Sequence, residues 1–313
     1  LNEFVVSARN LSKWYGDVIG LNSLNIGLPR GITGIVGPNG AGKSTLFKLA
    51  TGMIKPNKGS ITVMGEDPWL NHDLMKRIGF CPDYDNLSDY STGKRYLYQV
   101  GALHGSRNEE LKQRVKKTAR DVGARDFLNK DIDTYSQGMR QRLKLAGALL
   151  HDPDLLFLDE PLSGADPQAR KDLIELIKDL HEEKEHDILV SSHVLSEIER
   201  MTSEIALLYK GRVIASGDIS EVRGLIDKHP HNIVIDGVRK NALAKRLIDQ
   251  NYVVSVGFED NRRKMIVEVE KPDEFFQQIA SLVNQTETEV FEMYSRDDNL
   301  QAVFDYLVGG GKR

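Results

Sequence analysis

Cysteine is almost absent from this 313-residue chain: Cys81 is its only one. A lone thiol excludes an internal disulfide and any cysteine-built metal cage, and it fits a reducing compartment. Long apolar runs are missing too. The best near-candidate, LKLAGALL from Leu143 to Leu150, is interrupted by Lys144 and falls far short of the ~18 apolar residues needed to cross a bilayer. If the protein works at a membrane, a partner must hold it there. The opening segment LNEFVVSARN has neither the basic start nor the apolar core of a signal peptide. A basic excess is also lacking, since Lys and Arg total 42 against 46 Asp and Glu for a net charge of −4. No nucleic-acid partner is therefore expected. Internal repeats and low-complexity tracts are absent.

What remains is an ordinary globular composition, 40% hydrophobic and 28% charged, in a chain long enough for about two domains. Apolar runs of strand type recur at Phe4–Ala8, Leu24–Leu28, Ile32–Val36, Ile61–Met64, Ile78–Cys81, Leu155–Leu158, Ile188–Ser191, Glu204–Tyr209 and Val213–Ala215. Several are nearly continuous, as in strands buried on both faces. From about residue 84 to 150 the pattern turns helical, with polar stretches such as NEELKQRVKKTARDVG, and reads as a helical insertion. A charged linker ending at Pro230 separates residues 1–228 from 229–313. The second segment reads βαββαβα, closing with a helix at 299–307, a pattern of small split α/β sandwiches.

Gly37-Pro38-Asn39-Gly40-Ala41-Gly42-Lys43-Ser44 matches G-x-x-x-x-G-K-[ST] between a predicted strand and a helix opening at Thr45. Such a loop turns consecutive backbone N–H groups toward phosphate oxygens, and the helix adds its positive end. Lys43 would reach the outer phosphates and Ser44 would ligate Mg²⁺. Downstream, the apolar strand Leu155–Leu158 ends in Asp159-Glu160. That placement suits a metal-holding carboxylate followed by one that activates water. A guanine-reading N-K-x-D is not present, because Asn129-Lys130-Asp131 is followed by Ile132.

With these two motifs in place, the chain resembles the ATP-binding-cassette superfamily over about residues 3–220. Tyr135-Ser136-Gln137-Gly138-Met139 is similar to the family signature, Ser163-Gly164-Ala165-Asp166 to the segment after the catalytic Glu, and Ser191-Ser192-His193 to the switch histidine. The resemblance implies an α/β P-loop NTPase cassette with an antiparallel β subdomain and a helical insertion, followed by the small C-terminal α/β domain. It implies Glu160 and His193 as catalytic residues and ATP with Mg²⁺ as ligands. It also implies nucleotide contacts from Gly37 to Thr45, and from Tyr15 stacking on adenine, with Trp14 as the rival. Ser136 and Gly138 would touch the nucleotide held by a second copy of the chain. From the residues alone, Ser136 is equally a helix cap. Arg140 and Lys144 share one face of its helix, read more simply as a solvated stripe than as ligands. Asp83 stands where the family usually carries a Gln that touches Mg²⁺, so its metal role is plausible and its coupling role in doubt. The YSxGM signature and the α/β tail look like the branch that exports drugs, lipids and polysaccharides. That implies a separate integral membrane permease and a peripheral place on the cytoplasmic face. A cassette ATPase acting outside transport and an ATP-holding regulatory module stay as alternatives.

Overall fold

Strands β1 (Phe4–Tyr15) and β2 (Val18–Pro29) are each 12 residues long, well beyond the apolar runs that announced them. They form an antiparallel sheet with β4 (Lys58–Val63), in the order β2-β1-β4. Antiparallel strands with one wet face alternate polar with apolar residues, so their polar ends escape a search for apolar runs. The computed structural model describes residues 4–85, 87, 92–223, 231–259 and 263–295.

The second sheet is assembled from β3 (Ile32–Val36), β5 (Ile78–Cys81), β6 (Leu155–Leu158), β7 (Asp187–Ser192), β8 (Glu204–Tyr209) and β9 (Arg212–Asp218), in the order β5-β6-β7-β3-β8-β9. Its β5/β6, β6/β7, β7/β3 and β3/β8 pairings are all parallel. Every residue of β3, β6 and β7 is buried, which fits the apolar stretches at their centres. Helix α1 (Lys43–Ala50) follows β3 directly. Its Phe47 meets Phe157 of β6 edge-to-face at 5.3 Å, a contact worth about 1 kcal/mol beyond burial. That pair fixes the helix behind the glycine-rich loop against the strand that carries Asp159.

After the short α2 (His72–Met75), the insertion consists of α3 (Gly93–Leu103), α4 (Asn108–Asp121) and α5 (Gln137–Leu149). Thr92 caps α3 by accepting from the Arg95 amide, and Ser136 caps α5 by accepting from Met139. Where the insertion meets the sheet, the imidazoles of His104 and His151 stack with centroids 4.0 Å apart. His151 donates from Nε2 to the Ile78 carbonyl at 2.9 Å, and its Nδ1 is buried without a hydrogen-bond partner. Burial first, then the neighbouring His104, lowers the His151 pKa from 6.5 to about 4. The unfolded chain therefore takes up a proton that the folded chain refuses. Stability is fully present above pH 6.5 and is lost as pH falls toward 4. Between pH 6.5 and 4.5 the loss should be on the order of 2 kcal/mol. Denaturant melts against pH should show it in the wild type and show a flatter profile in His151→Asn.

Helix α6 (Pro167–Glu182) starts with Pro167 in its first turn and Asp166 as its cap, which accepts from the Ala169 amide at 2.9 Å. Helix α7 (Leu195–Glu199) follows β7, and α8 (Ile219–Arg223) follows β9. The chain divides into two units between Gly217 and Asp218, ahead of the 228/229 boundary suggested by Pro230. In the second unit β10 (His231–Val238), β11 (Val253–Glu259), β12 (Lys264–Val269) and β13 (Glu289–Ser295) form an antiparallel sheet ordered β11-β12-β10-β13. Helices α9 (Lys240–Ile248) and α10 (Pro272–Gln285) contribute Leu243, Leu247, Phe275 and Ile279 to a core with Ile233 and Ile235. This is the βαββαβ split sandwich read from the pattern. The expected final helix at 299–307 and the linker at Pro230 lie outside the described residues.

Candidate nucleotide site

The loop between β3 and α1 owes its shape to close backbone approaches. A Cβ on Gly37 would stand 2.2 Å from the Leu208 carbonyl oxygen. Gly42 has φ of 111°, and a Cβ there would meet the Gly20 carbonyl oxygen at 2.7 Å. Neither position accepts a side chain. The amides of Gly40, Gly42, Lys43, Ser44 and Thr45 donate to no protein acceptor among the described hydrogen bonds, as expected at a helix start. Together they form an anion cradle.

Lys43 is 5% exposed. Its Nζ donates to the Gly37 carbonyl at 2.6 Å and pairs with Glu160 Oε1 at 3.0 Å. The other carboxylate oxygen, Oε2, lies 2.8 Å from His193 Nδ1. Because a carboxylate only accepts, Nδ1 must carry the proton in this contact. Glu160 adopts φ of 48°, a strained conformation for a residue with a side chain. Its amide donates to Ser191 Oγ at 2.9 Å, and that hydroxyl donates to Asp159 Oδ1 at 2.7 Å. Ser191, buried on β7, thus ties the Asp159 carboxylate to the Glu160 backbone just after β6. The sequence reading named Ser191 only as a neighbour of His193. Its bridging role depends on β7 lying beside β6, which no local motif reveals.

Tyr15 ends β1 and is exposed. Its ring and Thr45 of α1 flank Gly20, where a Cβ would meet Tyr15 Cε2 at 3.0 Å and Thr45 Oγ1 at 3.1 Å. Trp14 is turned elsewhere, with Lys58 Nζ 5.7 Å from its ring centroid. Side chains of consecutive strand residues leave opposite faces, so only Tyr15 borders the loop. Gly20, unremarked in the sequence, clears the ground for that ring.

Asp83 follows β5 and is exposed. Partial burial, then the charges of Asp159 and Glu160, raise its pKa, so three carboxylates share one electrostatic neighbourhood. Among the described residues no group of three or more His, Cys, Asp or Glu forms a metal cage. Such a donor set fits Mg²⁺, which takes one or two carboxylates and completes its octahedron with water and phosphate oxygens. Asp159, the Ser44 hydroxyl and Asp83 are the groups available to it. Cys81 is buried beside them, and burial pushes its thiol up to about 11, leaving it a packing residue.

The reading of Arg140 and Lys144 as a solvated stripe is wrong. Lys144 is 4% exposed and its ammonium donates to the carbonyls of Pro82, Asp83 and Tyr84 at 2.8, 3.2 and 3.4 Å. Arg140 pairs with Asp85 at 2.6 Å and donates to the Ile132 carbonyl at 2.9 Å. Arg140 and Lys144 therefore clamp the loop that bears Asp83. Lys144→Met should leave those carbonyls without their buried donor, costing about 2–3 kcal/mol of stability. ATP affinity should stay near wild type while Mg²⁺-dependent turnover falls several-fold. Melting curves, nucleotide titration and Mg²⁺ titration of turnover check the three parts separately.

Ser136 and Gly138 sit at the start of α5. The hydrogen bond of Ser136 goes to Met139 in its own helix, and Gly138 faces Ala169 of α6. Neither is joined to the phosphate loop of the same chain among the described contacts.

A phosphate cradle after one parallel strand, with a histidine after the neighbouring strand and an acid pair after the next one beyond it, defines a P-loop nucleoside triphosphatase. Residues 21–163 match the family described as ABC transporter. The chain is 30% identical, over 99% of its length and 98% of the other's, to the bacitracin transport ATP-binding protein BcrA of Enterococcus faecalis. It is 28% identical to the daunorubicin/doxorubicin resistance ATP-binding protein DrrA of Streptomyces peucetius, over 97% of this chain and 92% of that one. Among solved structures, cbiO1 of Clostridium perfringens, part of the ABC transporter complex cbiONQ, superposes with a TM-score of 0.64 at 26% identity, over 71% of this chain and 92% of that one. The chain belongs to the ATP-binding proteins of ABC transporters, and its activity is ATP hydrolysis.

Proposed function

We propose that this chain is the ATPase subunit of an exporter, working as a pair of identical copies beneath a separate membrane permease. The observation that carries the reading is the linked set Lys43–Glu160–His193, buried at Lys43 and open to solvent at His193, at the mouth of an anion cradle. Glu160 is the counter-ion of Lys43, whose ammonium also donates to the Gly37 carbonyl of the loop. The phosphates of ATP would take over Lys43 and release Glu160 to orient and deprotonate water, with His193 holding its second oxygen. Mg²⁺, held by Ser44 and Asp159 with Asp83 nearby, would neutralise charge on the phosphates. Tyr15 would stack on the adenine.

Ser136 and Gly138 lie at a helix N-terminus, a ready anion site, and among the described contacts they are not joined to the phosphate loop of their own chain. A two-fold pairing would bring them to the phosphates of the second copy, giving two sandwiched nucleotides. The exporter assignment is supported by relatives whose names concern bacitracin transport and drug resistance, matched over nearly the whole chain including the C-terminal unit. No helix among the described residues is long and apolar enough to cross a membrane, so a permease must supply the path and hold the ATPase at the membrane.

The test is purification from native membranes under mild detergent. An integral membrane protein should travel with the chain, and specific ATPase activity should rise with protein concentration as pairs form. Recovery of an active chain without any membrane protein would favour the cassette ATPase that acts outside transport.

A further inference from the structure

The net charge of −4 conceals a strongly basic groove on the helical insertion, lined by none of the residues of the nucleotide site. It is a cavity of about 590 Å³ walled by Lys94 of α3, Lys112, Lys116, Lys117 and Arg120 of α4, and Arg125 beyond it. None of its lining residues is acidic. Lys112, Lys116 and Arg120 recur every fourth residue and so share one helix face. The buried Val115 and Leu128 form the floor, and Tyr98 of α3 brings a phenol to the wall.

Three of the six cations have partners at the rim: Lys112 with Glu109 at 3.1 Å, Lys117 with Asp152 at 3.4 Å and Arg120 with Asp121 at 3.6 Å. Lys94, Lys116 and Arg125 have no ion pair among the described residues. A solvated helix normally interleaves its charges with opposite ones, as α4 does elsewhere through Glu110 and Arg114. Here three unneutralised cations converge on one concavity, which focuses the field and raises the local concentration of anions. A net excess of about three positive charges matches a ligand with two or more negative charges. Lysine and arginine with a phenolic hydroxyl are the donors that bind phosphate oxygens.

We propose that this groove is a second anion site, separate from the ATP site, that takes a ligand with clustered phosphate groups, either free or as the headgroup of an anionic lipid. It requires nothing of the hydrolytic residues, and it holds whether or not the chain pairs as proposed above.

The experiment uses the full chain with its nucleotide site saturated by a non-hydrolysable ATP analogue and excess Mg²⁺, so that the phosphate loop cannot bind the probe. One arm titrates tripolyphosphate by calorimetry. The other sediments the protein with phosphatidylcholine vesicles made with or without phosphatidylglycerol. At least one arm should show salt-sensitive binding. The triple variant Lys94→Glu, Lys116→Glu and Arg125→Glu should weaken it about tenfold or more. The matching Gln variants should weaken it less, and basal ATP turnover should be unchanged in both. Binding only to phosphatidylglycerol vesicles identifies a lipid headgroup, and binding of tripolyphosphate a free ligand. No binding in either arm, or equal binding by wild type and a charge-reversed variant with a wild-type melt, overturns the proposal.

Discussion

Glu160→Gln should bind ATP with near-wild-type affinity and hydrolyse it about 10²–10⁴ times more slowly, the usual range for loss of a general base. The geometry supports that separation of effects. The amide keeps the size of the carboxylate, and its carbonyl oxygen can still accept from His193 Nδ1, now 2.8 Å from Oε2. The cradle amides are untouched and Lys43 loses only its ion pair with Glu160, so the groups that recognise phosphate remain. What disappears is the ability to take a proton from water. The measurement is a single-turnover phosphate-release assay beside an equilibrium ATP titration. Turnover close to wild type would mean that another group activates the water and that Glu160 serves only as the counter-ion of Lys43.

Lys43→Ala should act on the earlier step. An ammonium about 4 Å from a phosphate charge is worth up to about 4 kcal/mol at an effective dielectric near 20. Half of that already weakens ATP binding about thirtyfold. The substitution also strips Glu160 of a partner 3.0 Å away in a largely buried position. A carboxylate left so costs stability, on the order of 3 kcal/mol for a fully buried pair and less here. The nucleotide-free variant should therefore melt earlier than wild type, and saturating ATP should no longer raise its melting temperature. Nucleotide-induced stabilisation of wild-type size would remove Lys43 from the binding site.

Much of this site was legible before any fold was known, because its chemistry is local. Gly37 through Thr45 are written as one run of consecutive residues, although the backbone that requires glycine at 37 and 42 belongs to Leu208 and Gly20. Asp159 and Glu160 declare themselves by following an apolar strand. Ser136 was legible as a cap, and the cap is what the fold shows. Lys144 was misread for the opposite reason: helical spacing shows which residues share a face, not what the face meets. Its partners are carbonyls about sixty residues away, and only the packing of α5 against the loop after β5 buries the ammonium among them. The basic groove escaped notice in the same way, because its cations come from separate helices inside a net-acidic chain.

The sequence by itself determined the class of chemistry, since a phosphate cradle and an acid pair at a strand end are each written within a few consecutive residues. It also determined the element types, because period-two and near-continuous apolar runs leave a strand few alternatives. The tertiary structure alone decided which residues act on one another. Strand order placed β7 between β3 and β6, bringing His193 to Glu160 and Ser191 to Asp159 across more than thirty residues of chain. Register and layer packing set such distances through many weak contacts distributed over the whole core, and no short segment carries that information.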